Sequence, residues 1–312
     1  MVCRRLFLAK GMNNRIQGCL AAIIAGVSYG TNPLWGKLLY AGGFNPHSVL
    51  CFRFAVGTAV LALLMAARRM PFRTTPRQTG LLAVLGALFA ASSLALYSSF
   101  RYMDSGVACT LLFVYPVMIA VLMRLLFRER ASRLTWTALA LAMPGIWLLT
   151  RTGGGAPFSW TGFWLVMISA ATYAVYMIVV QKTSLVNLPS YTLSFYSLLF
   201  TLLFMAGHSF CSPATRLMPL ARLRDVLLAL GIGIVPTVIS LVAMAVAIRR
   251  IGSTPTAIIG ALEPLTAILV GVFLFHEPFT FRYGLGILLV LAAVTLVVLA
   301  PRQKAQQKWV VL

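Results

Sequence analysis

"LLFVYPVMIAVLMRLLFRE", residues 111–129, and "ALEPLTAILVGVFLFHE", residues 261–277, are the two stretches that decide how this chain folds. Each is an apolar run with a proline inside it, Pro116 or Pro264, and a glutamate thirteen residues later, Glu129 or Glu277. A run of this length with almost no charge reads as a helix that crosses a bilayer. Proline removes a backbone hydrogen bond there, and a bilayer tolerates that only beside protein or a wet cavity. The same device twice in one chain points to duplication.

Shifting the chain by 148 residues lays 80–149 over 228–297 without a gap, with Arg101 on Arg249, Ser105 on Ser253, Pro116 on Pro264 and Glu129 on Glu277. A separate shift of 144 lays Gly18 on Gly162 and "SYG" (28–30) on "TYA" (172–174). The halves are thus about 1–151 and 152–312, with Gly153, Gly154 and Gly155 near the joint.

Working outward gives ten apolar segments: 17–38, 46–67, 79–100, 105–127, 134–151, 160–181, 190–211, 225–248, 253–276 and 281–300. The chain is 60% hydrophobic and only 10% charged, with a mean hydropathy of +0.92. A soluble protein needs more charge than that to cover its surface. Connections are mostly short, so no soluble catalytic domain fits. Five segments per half is an odd number, so the second half must enter the membrane in the opposite sense. The expected fold is an all-α polytopic membrane protein, ten transmembrane helices in two inverted five-helix repeats (17–151 and 152–300). Residues 1–16 and 301–312 are left as terminal segments.

The net charge of +21 does not point to nucleic acid, because the cations sit at segment ends and form no basic face with interleaved aromatics. Their distribution encodes orientation instead. With the N-terminus inside, 18 of the 26 Lys and Arg fall on the cytoplasmic side, seven on the other, and Arg53 within a segment. Both termini are expected in the cytoplasm, and the 101–105 and 152–160 loops outside. "MVCRRLFLAKG" lacks the apolar core of a signal peptide, and Met12 marks an alternative start that makes residues 1–11 an extension. Five cysteines (3, 19, 51, 109 and 211) form no C-x-x-C, and no disulfide is expected. His47, His208 and His276 lack metal-ligand spacing, so no metal site and no cofactor are expected.

A third stretch, "SYGTNPLWGK" (28–37), breaks segment 1 with Gly30 and Pro33. It faintly echoes a phosphate-binding loop, but the spacing is one residue too long and Leu38 replaces the required hydroxyl. Together with "FRF" (52–54) and the 111–129 and 261–277 stretches, it resembles the drug/metabolite transporter superfamily, specifically its carriers with paired EamA-type domains. The resemblance spans about residues 17–300. It implies ten helices in two inverted repeats, and export or exchange of a small metabolite (amino acid, nucleoside or a related compound) across the bacterial inner membrane.

The residues offer their own candidates. Pro33 frees the carbonyl of Tyr29, and Thr31 and Asn32 can replace the lost bond. Either this is a kinked, packed helix, or Asn32 and Trp35 face a central cavity. Pro116 and Pro264 read as repeated kinks that could serve as hinges, as could Pro33. Ser132 and Thr280, three residues after Glu129 and Glu277, read as hydroxyl caps for the next helix, with the two carboxylates near its positive N-terminal end. Arg53 and Lys37 reach the interface by snorkelling, form a salt bridge, or hold an anionic group of the cargo. Tyr29, Tyr97, Tyr115, Tyr173 and Tyr176 supply aromatic walls with a polar tip, or simply pack. Glu263 lies about ten residues from either end of segment 9, and a charge at that depth costs at least ~2.5–3.5 kcal/mol on insertion scales. The first repeat has Tyr115 at the equivalent position, so the scaffold does not demand an acid. Glu263 therefore either binds cargo or a coupling proton, or is a neutral acid bonded to a neighbouring helix.

A secondary carrier whose partners are a small-molecule substrate, a coupling proton or counter-substrate, and the lipid bilayer is the favoured reading. A channel or non-transporting scaffold leaves the duplicated prolines unexplained. A membrane-embedded enzyme would need clustered acids or a nucleophile with its base, and the chain has five acids and no H-E-x-x-H.

Overall fold

A computed structural model of the protein describes residues 2–127, 133–150, 159–210, 215–251, 256, 259–277 and 279–299. Glu129, Ser132, Cys211, Ser253, the Gly153–Gly155 joint and the 301–312 tail lie outside them. Every regular element among the described residues is helical, and helices fall on all ten apolar segments. Six of these are long and apolar enough to cross a membrane: Pro46–Ala67, Pro76–Ser99, Ser105–Phe127, Trp160–Lys182, Ser190–His208 and Leu223–Ile251. The helix of segment 1 already begins at Val2, so residues 2–11 lie on it.

The prolines do not kink continuous helices; they start new ones. Segment 1 is two helices, Val2–Gly30 and Asn32–Ala41, parted at Thr31. Segment 4 is Ser105–Leu112 and Tyr115–Phe127, parted at Phe113 and Val114. In segment 9 the helix Leu262–Phe275 follows a turn at Gly260 and Ala261. Pro33, Pro116 and Pro264 each stand second or third in the helix after the break. There an N–H has no helical partner to lose, so proline costs nothing. Segment 6, the counterpart of segment 1, is one unbroken helix, Trp160–Lys182.

Packing pairs the repeats reciprocally. Segment 3 packs on segment 6 and segment 8 on segment 1; segment 4 packs on segment 6 and segment 9 on segment 1. Segments 2 and 7 pack on each other, as do 5 and 10. The match extends to single residues. Gly18 lies against Arg250 and Ile251, and Gly162 against Tyr102 and Met103, which are the positions 148 residues earlier. Ser240 donates to the carbonyl of Ala25 at 3.1 Å. Its counterpart Ser92 donates to the carbonyl of Ser169 at 3.0 Å, and Ser169 follows Ala25 by 144 residues.

One departure locates an insertion. Gly86 seats Phe200, and Gly233 seats Val56, 144 residues earlier than Phe200; but 86 to 233 is 147 residues, not 148. Between Gly233 and Ser240 the chain forms a π-helix, Ile234–Ile239, containing Pro236. A π-helix is an α-helix with one extra residue, so the missing step lies here. The gapless alignment of 80–149 on 228–297 thus needs a one-residue correction: the shift is 147 before the π-helix and 148 after it.

The glycine seats carry the first prediction. A methyl on Gly86 would lie 2.8 Å from the backbone carbon of Phe200 and 2.9 Å from the amide of Thr201, neither of which can turn aside. Gly86→Ala is expected to lose about 1–3 kcal/mol of stability from overpacking. Gly80, on the same helix with nothing within 4 Å, is expected to accept alanine with no loss. Thermal unfolding in detergent reads both, and equal melting of the two variants would show that the Gly86 contact is not tight.

Candidate functional site

The break at Thr31 is closed by its own side chains. Asn32 Nδ2 donates to the carbonyl of Tyr29 at 2.7 Å, and Thr31 Oγ1 to that of Ser28 at 2.7 Å. A chain of bonds then runs inward. Tyr97 donates its hydroxyl to Asn32 Oδ1 at 3.0 Å, and Arg53 donates from Nη1 to the Tyr97 hydroxyl at 3.4 Å. Arg53 Nε donates to Thr237 Oγ1, on the π-helix, at 3.0 Å. The guanidinium also lies 5.5–5.7 Å from the ring centres of Tyr29, Phe54 and Tyr97. Arg53 is 3% exposed, so it does not snorkel; four segments converge on it.

Beside it stands an aromatic wall. Tyr115 and Tyr173 meet edge to face at 4.8 Å, Tyr173 and Tyr176 stack at 5.7 Å, and Phe89 lies 5.6 Å from Tyr176. Phe54 joins this wall to Arg53 through Phe89 at 5.7 Å. Glu263 is the second residue of its half-helix, not mid-helix as its place in segment 9 predicts. It is held close to segment 1 because Gly30 leaves no side chain between them. Its side chain is half-buried, and among the described residues its carboxylate accepts no hydrogen bond. The neighbouring-helix bond expected for a structural acid is therefore absent among those residues. Its charge acts on Tyr29, Cys109, Tyr115 and Tyr173, and Arg53 is the cation that acts on it. Tyr29, Cys109, Tyr115, Tyr173 and Tyr176 are half-buried too.

The other candidates take different places. Tyr97 is fully buried and Asn32 nearly so; they brace Arg53 and the helix break. Trp35 packs its ring on Gly231 of segment 8 and donates to Thr31 at 3.1 Å, apart from the tyrosines. Phe89, Cys109 and Thr237 belong to the site and carry no signal in the sequence. Lys37 does not snorkel; it pairs with Glu277 and lies 4.9 Å from the ring centre of Phe275. Thr280 caps the next helix through the amide of Tyr283, at 3.2 Å. The carboxylate of Glu277 crosses to the start of segment 4, accepting from Ser105 N (2.9 Å), Ser105 Oγ (2.6 Å) and Gly106 N (3.2 Å). Burial disfavours its charge, but the bonds from Lys37 and Ser105 and the charge of Lys37 outweigh that and hold its carboxyl below the usual range. His47 and His208, far apart in sequence, bring their rings to 5.3 Å.

The model of the EamA-like transporter family matches this chain twice, at residues 16–151 and 160–299. The chain belongs to that family. It is a multi-pass membrane transporter. Similar proteins include an uncharacterized transporter of Archaeoglobus fulgidus, 27% identical over 215 residues, which cover 68% of this transporter and 73% of the relative. Another is the uncharacterized transporter YdfC of Bacillus subtilis, 22% identical over 234 residues, covering 73% and 74%. A solved crystal structure, 18% identical, matches 90% of this transporter and 96% of its own chain with a TM-score of 0.63; it shares the fold.

Proposed function

We propose that this transporter is a secondary carrier that moves a small metabolite across the bacterial inner membrane by alternating access, in export or exchange. Ten spans in two inverted repeats, 17–151 and 152–300, with both termini cytoplasmic, form its frame. The reciprocal packing of the repeats supports that frame, since inverted repeats place their cargo at the interface between them and rock about it. The tyrosine wall draws on both repeats: Tyr29 and Tyr115 from the first, Tyr173 and Tyr176 from the second.

One observation carries the reading: Glu263, a half-buried acid without a side-chain hydrogen-bond partner among the described residues, stands beside that wall. An ionisable group deep in a membrane protein is costly and marks a pathway for substrate or protons. Arg53 is already held by Thr237, Tyr97 and three rings, so it braces the site and leaves Glu263 as the group open to cargo. Glu263 takes the ammonium group of an amino acid, accepts from the neutral exocyclic amine of a nucleoside, or takes a coupling proton that exchanges with the cargo. Tyr115 and Tyr173 supply flat walls for the cargo's apolar part.

Counterflow in proteoliposomes tests the claim. Vesicles preloaded with an unlabelled amino acid or nucleoside are expected to take up the labelled form faster than empty ones. For every solute that crosses, uptake set only by the gradient, without acceleration from the far side, would identify a channel and overturn the carrier.

A further inference from the structure

The helix of segment 9 ends at Phe275, and His276 turns into the left-handed region at φ 53°. That turn lets the amide of Glu277 donate back to the carbonyl of Gly271 at 3.0 Å, folding its side chain against the helix end. A β-carbon on Gly271 would occupy the place of that carboxylate, and one on Gly106 the place of the Tyr283 hydroxyl. Glu277 is 7% exposed and bonds to Lys37 of segment 1 and to Ser105 and Gly106 of segment 4. The half-buried Asp104 flanks them; burial first, and then the nearby charge of Glu277, raise its carboxyl above the usual range, against the pull of Lys37. Cys109 follows one turn along segment 4 and feels Glu263 on one side and Glu277 with Lys37 on the other. The polar cluster thus stands where the segment 9 helix ends, across from the start of segment 4.

We propose that Lys37, Glu277 and the start of segment 4 form a latch that closes one mouth of the central site. The inference rests on the alternating-access reading. Glu277 belongs to the second repeat, and its three partners to the first. Any rocking that opens this mouth must part them, along with the close packing of Gly106 on Ile268 and Tyr283 and of Lys37 on Phe275. At the equivalent place in the second repeat Gln181 stands 144 residues after Lys37, and Lys182 beside it lies 4.8 Å from the ring centre of Phe127, the counterpart of Phe275. The ion pair at this mouth favours the state in which it is closed.

Native Cys109 reports the latch without any known cargo. In the full chain with Cys3, Cys19, Cys51 and Cys211 changed to alanine, a membrane-impermeant maleimide is added to either face of oriented membrane vesicles. The parent is expected to be protected from the Lys37 face. Lys37→Gln, which installs the second repeat's residue, and Glu277→Gln are each expected to speed labelling from that face about tenfold and to slow it from the opposite face. Variants that melt like the parent and label like it would make the cluster a static staple: the latch falls and the carrier stands. Faster labelling from both faces at once would indicate a continuous pore and overturn the carrier as well. Should the single variants fail to fold, Lys37→Cys/Glu277→Cys in a cysteine-free chain decides the matter. Oxidised, it is expected to hold counterflow below about a tenth of the reduced rate, because a locked mouth removes one of the two alternating states; full counterflow when oxidised would overturn the latch.

Discussion

Glu263→Gln is expected to fold and insert normally while losing about 10–100-fold in affinity for its cargo, the worth of one bond to a charged group. The substitution keeps shape and removes charge. Since the carboxylate accepts no hydrogen bond among the described residues, none of those bonds is broken, and the stability change is expected to stay within ~0.5 kcal/mol. The half-helix is held elsewhere, by Gly26 against Leu262 and Gly30 against Thr266. Glu263→Leu, which removes polarity altogether, is therefore also expected to fold. Thermal unfolding and counterflow across a pH series check both. A Glu263→Gln protein that transports at the parent rate with unchanged pH dependence would make the residue structural and remove it from the site.

Glu263 also shows what a sequence reveals in a chain of this kind. Its depth, its charge and the tyrosine at the equivalent position of the first repeat are all visible as letters, because an acid inside an apolar run has few explanations. The same holds for Arg53, a cation seven residues inside segment 2. Its role was not legible: the partners that turn it into a brace are a threonine and tyrosines that composition cannot tell from packing residues. The duplicated Pro-to-Glu spacing shows the repeat, since both residue types are rare in lipid-facing helices. It does not show where the helices break, because proline suits a first turn as well as a kink, and only the backbone on its N-terminal side decides. Glu277 reaches across to segment 4 through a left-handed histidine, a conformation that no residue but glycine announces in advance. The extra residue in segment 8 leaves no trace in hydropathy. It emerged from contacts alone, from Gly233 and Ser240 keeping equivalent neighbours at unequal shifts.

That extra residue governs the second large effect. Arg53→Met is expected to cost about 3–5 kcal/mol, the range for removing one partner from a buried charged network. Methionine matches the apolar length of the side chain, so the loss measures the guanidinium: its bonds to Thr237 and Tyr97, its place over three rings, and its charge opposite Glu263. Arg53→Lys keeps the charge without the planar fork and is expected to recover less than half of it. Thr237→Val removes only the acceptor for Nε and is expected to cost about 1–3 kcal/mol. If the π-helix exists to hold Arg53, the two losses describe one interaction and cannot add. The double variant Arg53→Met/Thr237→Val should then be more stable than the sum of the singles by about 0.5–3 kcal/mol. Deleting Val238 gives the sharper result. It removes the inserted residue and turns everything after it by about 100°, one residue of an α-helix. Either Thr237 then loses Arg53 or Ser240 loses Ala25, and the deletion is expected to destabilise more than Thr237→Val alone. Additive losses in the cycle, or a deletion that melts with the parent, would show that Arg53 is held by the tyrosines and that the π-helix is incidental to it.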